Sequence, residues 1–273
     1  MPGGPFSWCR MLAAELIHAE GARFGASMIL VPGLWAGPGA WRGCAGLLAH
    51  RGWECHLVDP RGLDRGGLAD RAAALADYAA ALATPAVLVG HDAGGLAAIL
   101  AAGRHPAAAA VLVAPLVPRT PGARSLVRSP RALLALVRDR AVAPPSGAAA
   151  ARLGADGGGG APVGLAPEPA AVVRDVVWGR VALAPVPGTP TLVAAGDHDP
   201  LATTAEIAAL AHALGAQIET LPGAGHWPLA GRTWQRTVDV VHRWVVRRLG
   251  AQNLDLYEEA MAERDADDEA GST

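Results

Sequence analysis

The sequence has no lysine, three cysteines, two tyrosines and two phenylalanines in 273 residues. Each shortage excludes something. Cys9, Cys44 and Cys55 are too few, and odd in number, for a disulfide framework. None has metal-ligand spacing, so reduced thiols and a cytoplasmic location are expected. All 23 basic residues are arginines, none in a dense block, and the net charge is -2, which leaves nothing to grip a nucleic acid. No positive cluster precedes a long apolar run within Met1–Glu20, so no signal peptide is expected. The longest apolar stretch, Ala107–Val117, is broken at Pro115 and is too short to span a bilayer, so no membrane partner is expected. No His, Asp and Cys cluster has ligand spacing, and neither a metal nor another cofactor is implied. There is no internal repeat, and nothing in the sequence specifies an oligomeric state.

What is abundant is apolar material. Hydrophobic residues make up 51% of the chain and charged residues 18%, enough for a large core and too little charge for a disordered protein. Short apolar runs alternate with longer amphipathic segments. Strands are expected at Ser27–Val31, Glu54–Val58, Ala86–Val89, Ala110–Val113, Thr191–Ala195 and Gln217–Leu221. Helices are expected at Trp41–His50, Ala69–Leu82 with Asp70 as its N-cap, Ala93–Gly103, Thr204–Leu214 and Trp234–Leu249. Continuous apolar strands between helices predict an α/β fold whose mostly parallel sheet is covered on both faces.

The core should therefore comprise residues 27–114 and 188–250. Residues 1–26 carry no strand signal and read as an N-terminal extension, and the acidic segment 251–273 reads as a disordered tail. Residues 115–187 form a long insertion that reads as a lid, with helices at Ala132–Ala141 and Ala170–Val181 and a mobile glycine run, Gly157–Gly160. Within it, Leu133, Leu134, Leu136 and Val137 fit one helix face, which is expected to cover a pocket, while Arg128, Arg131 and Arg138 read as solvated.

The chemistry concentrates in three loops. In VLVGHDAGG, Val87–Gly95, an apolar strand runs through Gly90-His91-Asp92-Ala93-Gly94 directly into a helix. This is the layout of a nucleophile elbow, G-x-Nu-x-G. Its central residue needs φ > 0, its glycines let strand and helix approach, and the helix aims its N-terminal N–H groups at the same point. In LVPGLWAGPGAW, Leu30–Trp41, a Gly-rich turn follows a strand and can offer the N–H of Leu34 opposite that of Ala93, making an oxyanion hole. Trp35 there is a candidate pocket residue or a core residue. In LPGAGHWPL, Leu221–Leu229, His226 follows the last strand, where a general base belongs. His91 reads as structural. Two carboxylates compete for the acid position after the strand TLVAA, Asp197 and Asp199, and either satisfies the order nucleophile, acid, His.

Together these loops resemble the α/β-hydrolase superfamily from about Ser27 to Leu249, outside the lid. The family pattern after the acid strand is G-x-x-D, and Gly196-Asp197-His198-Asp199 puts Asp199 in that slot. The sequence departs from the usual pattern at the elbow, where Asp92 stands in place of serine, an arrangement similar to that of epoxide hydrolases and haloalkane and fluoroacetate dehalogenases. That resemblance implies an Asp92–His226–Asp199 triad, with Asp92 forming an alkyl ester that His226 helps water to hydrolyse, on a small to medium, largely apolar substrate. It also implies helpers for the leaving group. The lid has no tyrosine, since the two present are Tyr78 and Tyr257, which leaves Trp178 or a lid arginine as the candidate. Two other readings stay open: a non-hydrolytic lyase or cyclase of secondary metabolism with Asp92 and His226 as acid and base, and a non-catalytic ligand-binding member of the fold.

Overall fold

The structure is a computed structural model that describes residues 12–63, 66–147, 150 and 164–250. Seven strands form one sheet: β1 (Ala13–Ile17), β2 (Met28–Val31), β3 (Cys55–Asp59), β4 (Val87–His91), β5 (Ala109–Val113), β6 (Thr191–Gly196) and β7 (Gln217–Leu221). Their spatial order is β1-β3-β2-β4-β5-β6-β7, with β1 antiparallel to β3 and every other pair parallel.

Alternation along the interior strands explains why they read as largely unbroken apolar runs. Ile29, Val31, Leu88, Ala110, Leu112 and Val193 join one buried cluster, whereas Met28, Leu30, Val87, Val89, Val111 and Leu192 join another. Successive side chains leave opposite faces of a strand, and here both faces are dry. The first face is covered by α2 (Leu68–Ala80), α3 (Ala93–Ala102) and α7 (Thr204–Leu214), the second by α1 (Arg42–His50) and a helix over 234–250, α8.

Strand β1 lies within the segment read as an extension. It is an edge strand with exposed positions, so it lacks the continuous apolar run that marked the others. Helix α2 also differs from expectation. Its N-cap is Gly67, and Asp70 sits three residues in, accepting the Gly67 N–H at 2.8 Å. The next N–H, of Leu68, is taken at 2.8 Å by Asp175, a residue of the insertion.

That insertion carries α4 (Pro121–Ser125), α5 (Pro130–Val137) and α6 (Ala170–Trp178), joined by a bridge between Val142 and Glu168. The apolar face expected on α5 is not a covering face. Leu136 alone of the four turns inward, while Leu133 and Leu134 are 48% exposed and Val137 is 80% exposed. The glycine run 157–160 and the acidic tail lie outside the described residues.

Candidate active site

The site gathers at the carboxyl ends of β2, β4, β6 and β7, where loops of a parallel sheet converge. Strand β4 delivers Asp92 on a sharp turn with φ 56° and ψ −126°. A non-glycine residue in such backbone stores strain, on the order of 1–3 kcal/mol. The flanking glycines make it possible. A Cβ on Gly90 would lie 2.2 Å from the Gly94 carbonyl oxygen, and one on Gly94 would lie 2.4 Å from that of Pro32. Helix α3 starts at once, and its first N–H, of Ala93, donates to Asp92 Oδ1.

The second wall is the turn after β2. Because β2 pairs directly with β4, with Val31 opposite Gly90, this turn lies beside the elbow. The Leu34 N–H donates to Asp92 Oδ2 at 3.2 Å. The two N–H groups expected to form an oxyanion hole thus converge on the Asp92 carboxylate. Gly33 packs so closely that a Cβ there would sit 2.6 Å from Asp92 Cβ.

His226 completes the set. Its Nδ1 is 2.9 Å from Asp199 Oδ2 and its Nε2 is 3.6 Å from Asp92 Oδ2. Asp197, the competing carboxylate, instead accepts the Gly223 N–H at 2.7 Å and so holds the backbone of the histidine loop. Gly196 lets that loop approach, since a Cβ there would lie 2.0 Å from the Ala224 carbonyl oxygen. His91 bonds the His226 carbonyl through Nε2 at 2.7 Å. A carbonyl only accepts, so His91 carries its proton on Nε2 and ties the two loops together.

Electrostatics separate the two histidines. Burial works against charge on His226, but the charge and hydrogen bond of Asp199, joined by those of Asp92, outweigh it and push the imidazole up to about 10. Burial and the neighbouring His226 push His91 down to about 4. One is held as an imidazolium between two carboxylates and the other as a neutral donor.

Trp35 and Trp178, the candidate substrate contacts, both have partners of their own. Trp35 is 2% exposed and its indole N–H donates to the Val142 carbonyl at 3.0 Å, so it packs the turn against the insertion. Trp178 ends α6 at 42% exposure, with the Arg180 guanidinium 5.0 Å from its ring centroid. Tyr78 is likewise committed, its hydroxyl 2.8 Å from His56 Nδ1. Sequence reasoning missed Glu168 and Arg71, a fully buried ion pair whose carboxylate also accepts the Trp35 N–H at 2.6 Å. Nothing local marks either residue, since they are 97 positions apart. Among the described residues no group of three or more His, Cys, Asp or Glu is placed to hold a metal ion.

Residues 28–240 match the model of the Alpha/beta hydrolase family. The chain belongs to that family. Solved structures share its fold. One is a thermophilic esterase from Thermogutta terrifontis, bound to malate, at 19% identity and a TM-score of 0.62, with 87% of this chain and 93% of that one covered. Another is a monoacylglycerol lipase from Paleococcus ferrophilus, at 16% identity and a TM-score of 0.61, with 87% and 99% covered. A third is Est1E from Butyrivibrio proteoclasticus, bound to ferulic acid, at 16% identity and a TM-score of 0.62, with 88% and 96% covered. At such identities the likeness speaks for the fold alone. No curated protein matches the chain.

Proposed function

We propose that this α/β hydrolase cleaves a carbon–heteroatom bond at an sp³ centre of a small, largely apolar substrate, an epoxide or an alkyl halide, through an alkyl ester on Asp92. The observation that carries this reading is the position of the Asp92 carboxylate. It occupies the strained elbow, touches both oxyanion N–H groups and faces His226 Nε2 at 3.6 Å.

In the first step an Asp92 oxygen attacks the sp³ carbon, the carbon–heteroatom bond breaks with its electron pair going to the heteroatom (a halide that leaves, or an epoxide oxygen that stays on the substrate), and the His226 proton goes to that oxygen or, with a halide, to solvent. In the second step water attacks Cγ of the new ester. His226 Nε2 takes the water proton, and the N–H groups of Leu34 and Ala93 stabilise the tetrahedral oxyanion. Collapse expels the alkoxide, which takes the proton from the imidazolium, and the Asp92 carboxyl, now carrying one oxygen from water, passes its remaining proton to His226 and returns as a carboxylate beside the imidazolium.

The raised pKa of His226 fits this order. Burial opposes the charge, while Asp199 and Asp92 favour it. Esterification removes the Asp92 charge, one of the supports of the imidazolium. His226 then gives up its proton more readily, at the stage that calls for a base. Asp199 holds Nδ1 throughout and fixes the ring. The neighbours named as an esterase and a monoacylglycerol lipase are consistent with this, because the second step is itself an ester hydrolysis.

The test is intact-protein mass spectrometry of His226→Gln after exposure to separate panels of epoxides, alkyl halides and carboxylic esters. The substitution stalls the second step, so an alkyl adduct mapping to Asp92 is expected with one of the first two panels. Turnover by the unmodified enzyme with no adduct in the variant overturns the covalent reading in favour of acid–base chemistry.

A further inference from the structure

The oxyanion turn does not support itself. Residues 33–36 form a tight turn in which the Ala36 N–H donates to the Gly33 carbonyl at 3.3 Å. That carbonyl belongs to the same peptide unit as the Leu34 N–H, which donates to Asp92. The third residue of the turn, Trp35, has φ 61°. Glycine or asparagine ordinarily fills such a place, because a side chain in left-handed backbone meets steric opposition. A tryptophan there needs outside support.

The support comes from the insertion, through three contacts on one residue. Glu168 Oε2 accepts the Trp35 N–H at 2.6 Å, the Ala166 N–H donates to the Trp35 carbonyl at 2.9 Å, and the Trp35 indole donates to the Val142 carbonyl at 3.0 Å. Val142 and Glu168 are themselves tied by reciprocal backbone bonds of 2.7 and 2.9 Å. Glu168 is anchored in turn by Arg71 on α2, and both side chains are sealed from solvent at 0% and 4% exposure. Glu168 spends one oxygen on Arg71 and the other on the turn. A residue that served only to fasten the insertion would have no reason to reach the peptide next to the oxyanion donor.

We infer that Glu168, fixed by Arg71, is a positioning residue that holds the Leu34 N–H in place for the oxyanion of the second step. This rests on the covalent reading above. It assigns the insertion a role in the chemistry besides any role in covering the site. Because the Leu34 N–H stabilises the tetrahedral oxyanion, the two steps should respond differently. Loss of Glu168 should slow hydrolysis of the Asp92 ester and leave its formation nearly unchanged.

The experiment is rapid-quench mass spectrometry of the full chain, using the electrophile that labels His226→Gln. In Glu168→Ala, with His226 intact, the alkyl ester should accumulate. Its hydrolysis should be slower by about 10²-fold, the cost of one oxyanion donor. The rate of alkylation should stay within about threefold. Glu168→Gln keeps an acceptor for the Trp35 N–H and should recover most of the hydrolysis rate. The double variant Arg71→Met/Glu168→Gln, which removes the charges and keeps that acceptor, should recover it as well and guards against a fold lost to one buried charge. Alkylation and hydrolysis falling together in Glu168→Ala, or no rescue by either glutamine variant, would overturn the assignment. Amide exchange supplies a readout independent of any activity. Should His226→Gln capture no electrophile, the covalent reading fails, and faster exchange at residues 33–36 with unchanged β4 would still uphold the clamp, whereas unchanged exchange there would sink it.

Discussion

The two walls of this site are built in opposite ways. The elbow is built largely from adjacent sequence: strand, turn and helix follow one another from Val87 to Ala102, and Gly90 packs against the backbone of Gly94 and Gly95, while Gly94 packs against the carbonyls of Val31 and Pro32 at the end of β2. The oxyanion turn is held from a distance, by Val142, Ala166 and Glu168 of the insertion and by Arg71 of α2 behind them. One wall is strained and locked mainly by its own sequence neighbours and the adjoining end of β2. The other is strained and locked by residues more than 100 positions away along the chain. A nucleophile can therefore be announced by a nine-residue motif, while its oxyanion partner depends on residues far along the chain.

Glycine substitutions put a scale on that difference. Gly90→Ala drives a Cβ to 2.2 Å from the Gly94 carbonyl oxygen, where only backbone can yield. A stability loss of about 4 kcal/mol or more is expected by chemical denaturation, or no folded protein at all. Gly33→Ala meets the Asp92 side chain instead, at 2.6 Å from its Cβ. Its stability cost should be smaller, about 1–3 kcal/mol. Turnover should nevertheless fall on the order of 10²-fold, because the carboxylate is pushed off its mark. Equal stability losses in the two variants would erase the distinction between a backbone lock and a side-chain neighbour.

A smaller effect separates the two histidines. His91 is held neutral, with its pKa near about 4. The unfolded chain protonates a histidine near about 6.5. Between those values the unfolded state binds the extra proton, so stability should fall as pH drops from about 6.5 towards 4. His226 has the opposite sign. Its pKa is raised to about 10, so its contribution is present below about 6.5 and is lost as pH climbs towards 10. Denaturant titrations should show a maximum between these two limbs. His91→Gln keeps an N–H for the His226 carbonyl and should flatten the acid limb; an unchanged acid limb would mean that His91 is not the group responsible.

The same contrast explains what the sequence disclosed. Helix α7 and the edge strand β7 lie at the residues expected, and β2 to β6 differ only at their ends, the latter because strands buried on both faces are largely apolar. Strand β1 was invisible, since an edge strand with exposed positions has no such run. Asp92, Ala93, Leu34, His226 and Asp199 are legible because glycine-rich turns directly after strands mark their places. Trp35 was half legible: the turn announced it, but its backbone strain and its bonds to Val142 and Glu168 exist only in three dimensions. Glu168 and Arg71 carried no local pattern at all. In the insertion, the spacing of Leu133, Leu134, Leu136 and Val137 implied a helix face expected to cover a pocket; the helix is there, but of the four only Leu136 is buried.

The central claim, that Asp92 bonds covalently to the substrate, is tested most directly by turnover in H₂¹⁸O. If water attacks the Asp92 ester, the first turnover yields product whose new oxygen comes unlabelled from the aspartate, and ¹⁸O appears in the peptide containing Asp92. If that first-turnover product carries the full ¹⁸O label and the Asp92 peptide stays light, water attacks the substrate directly and Asp92 is not the nucleophile.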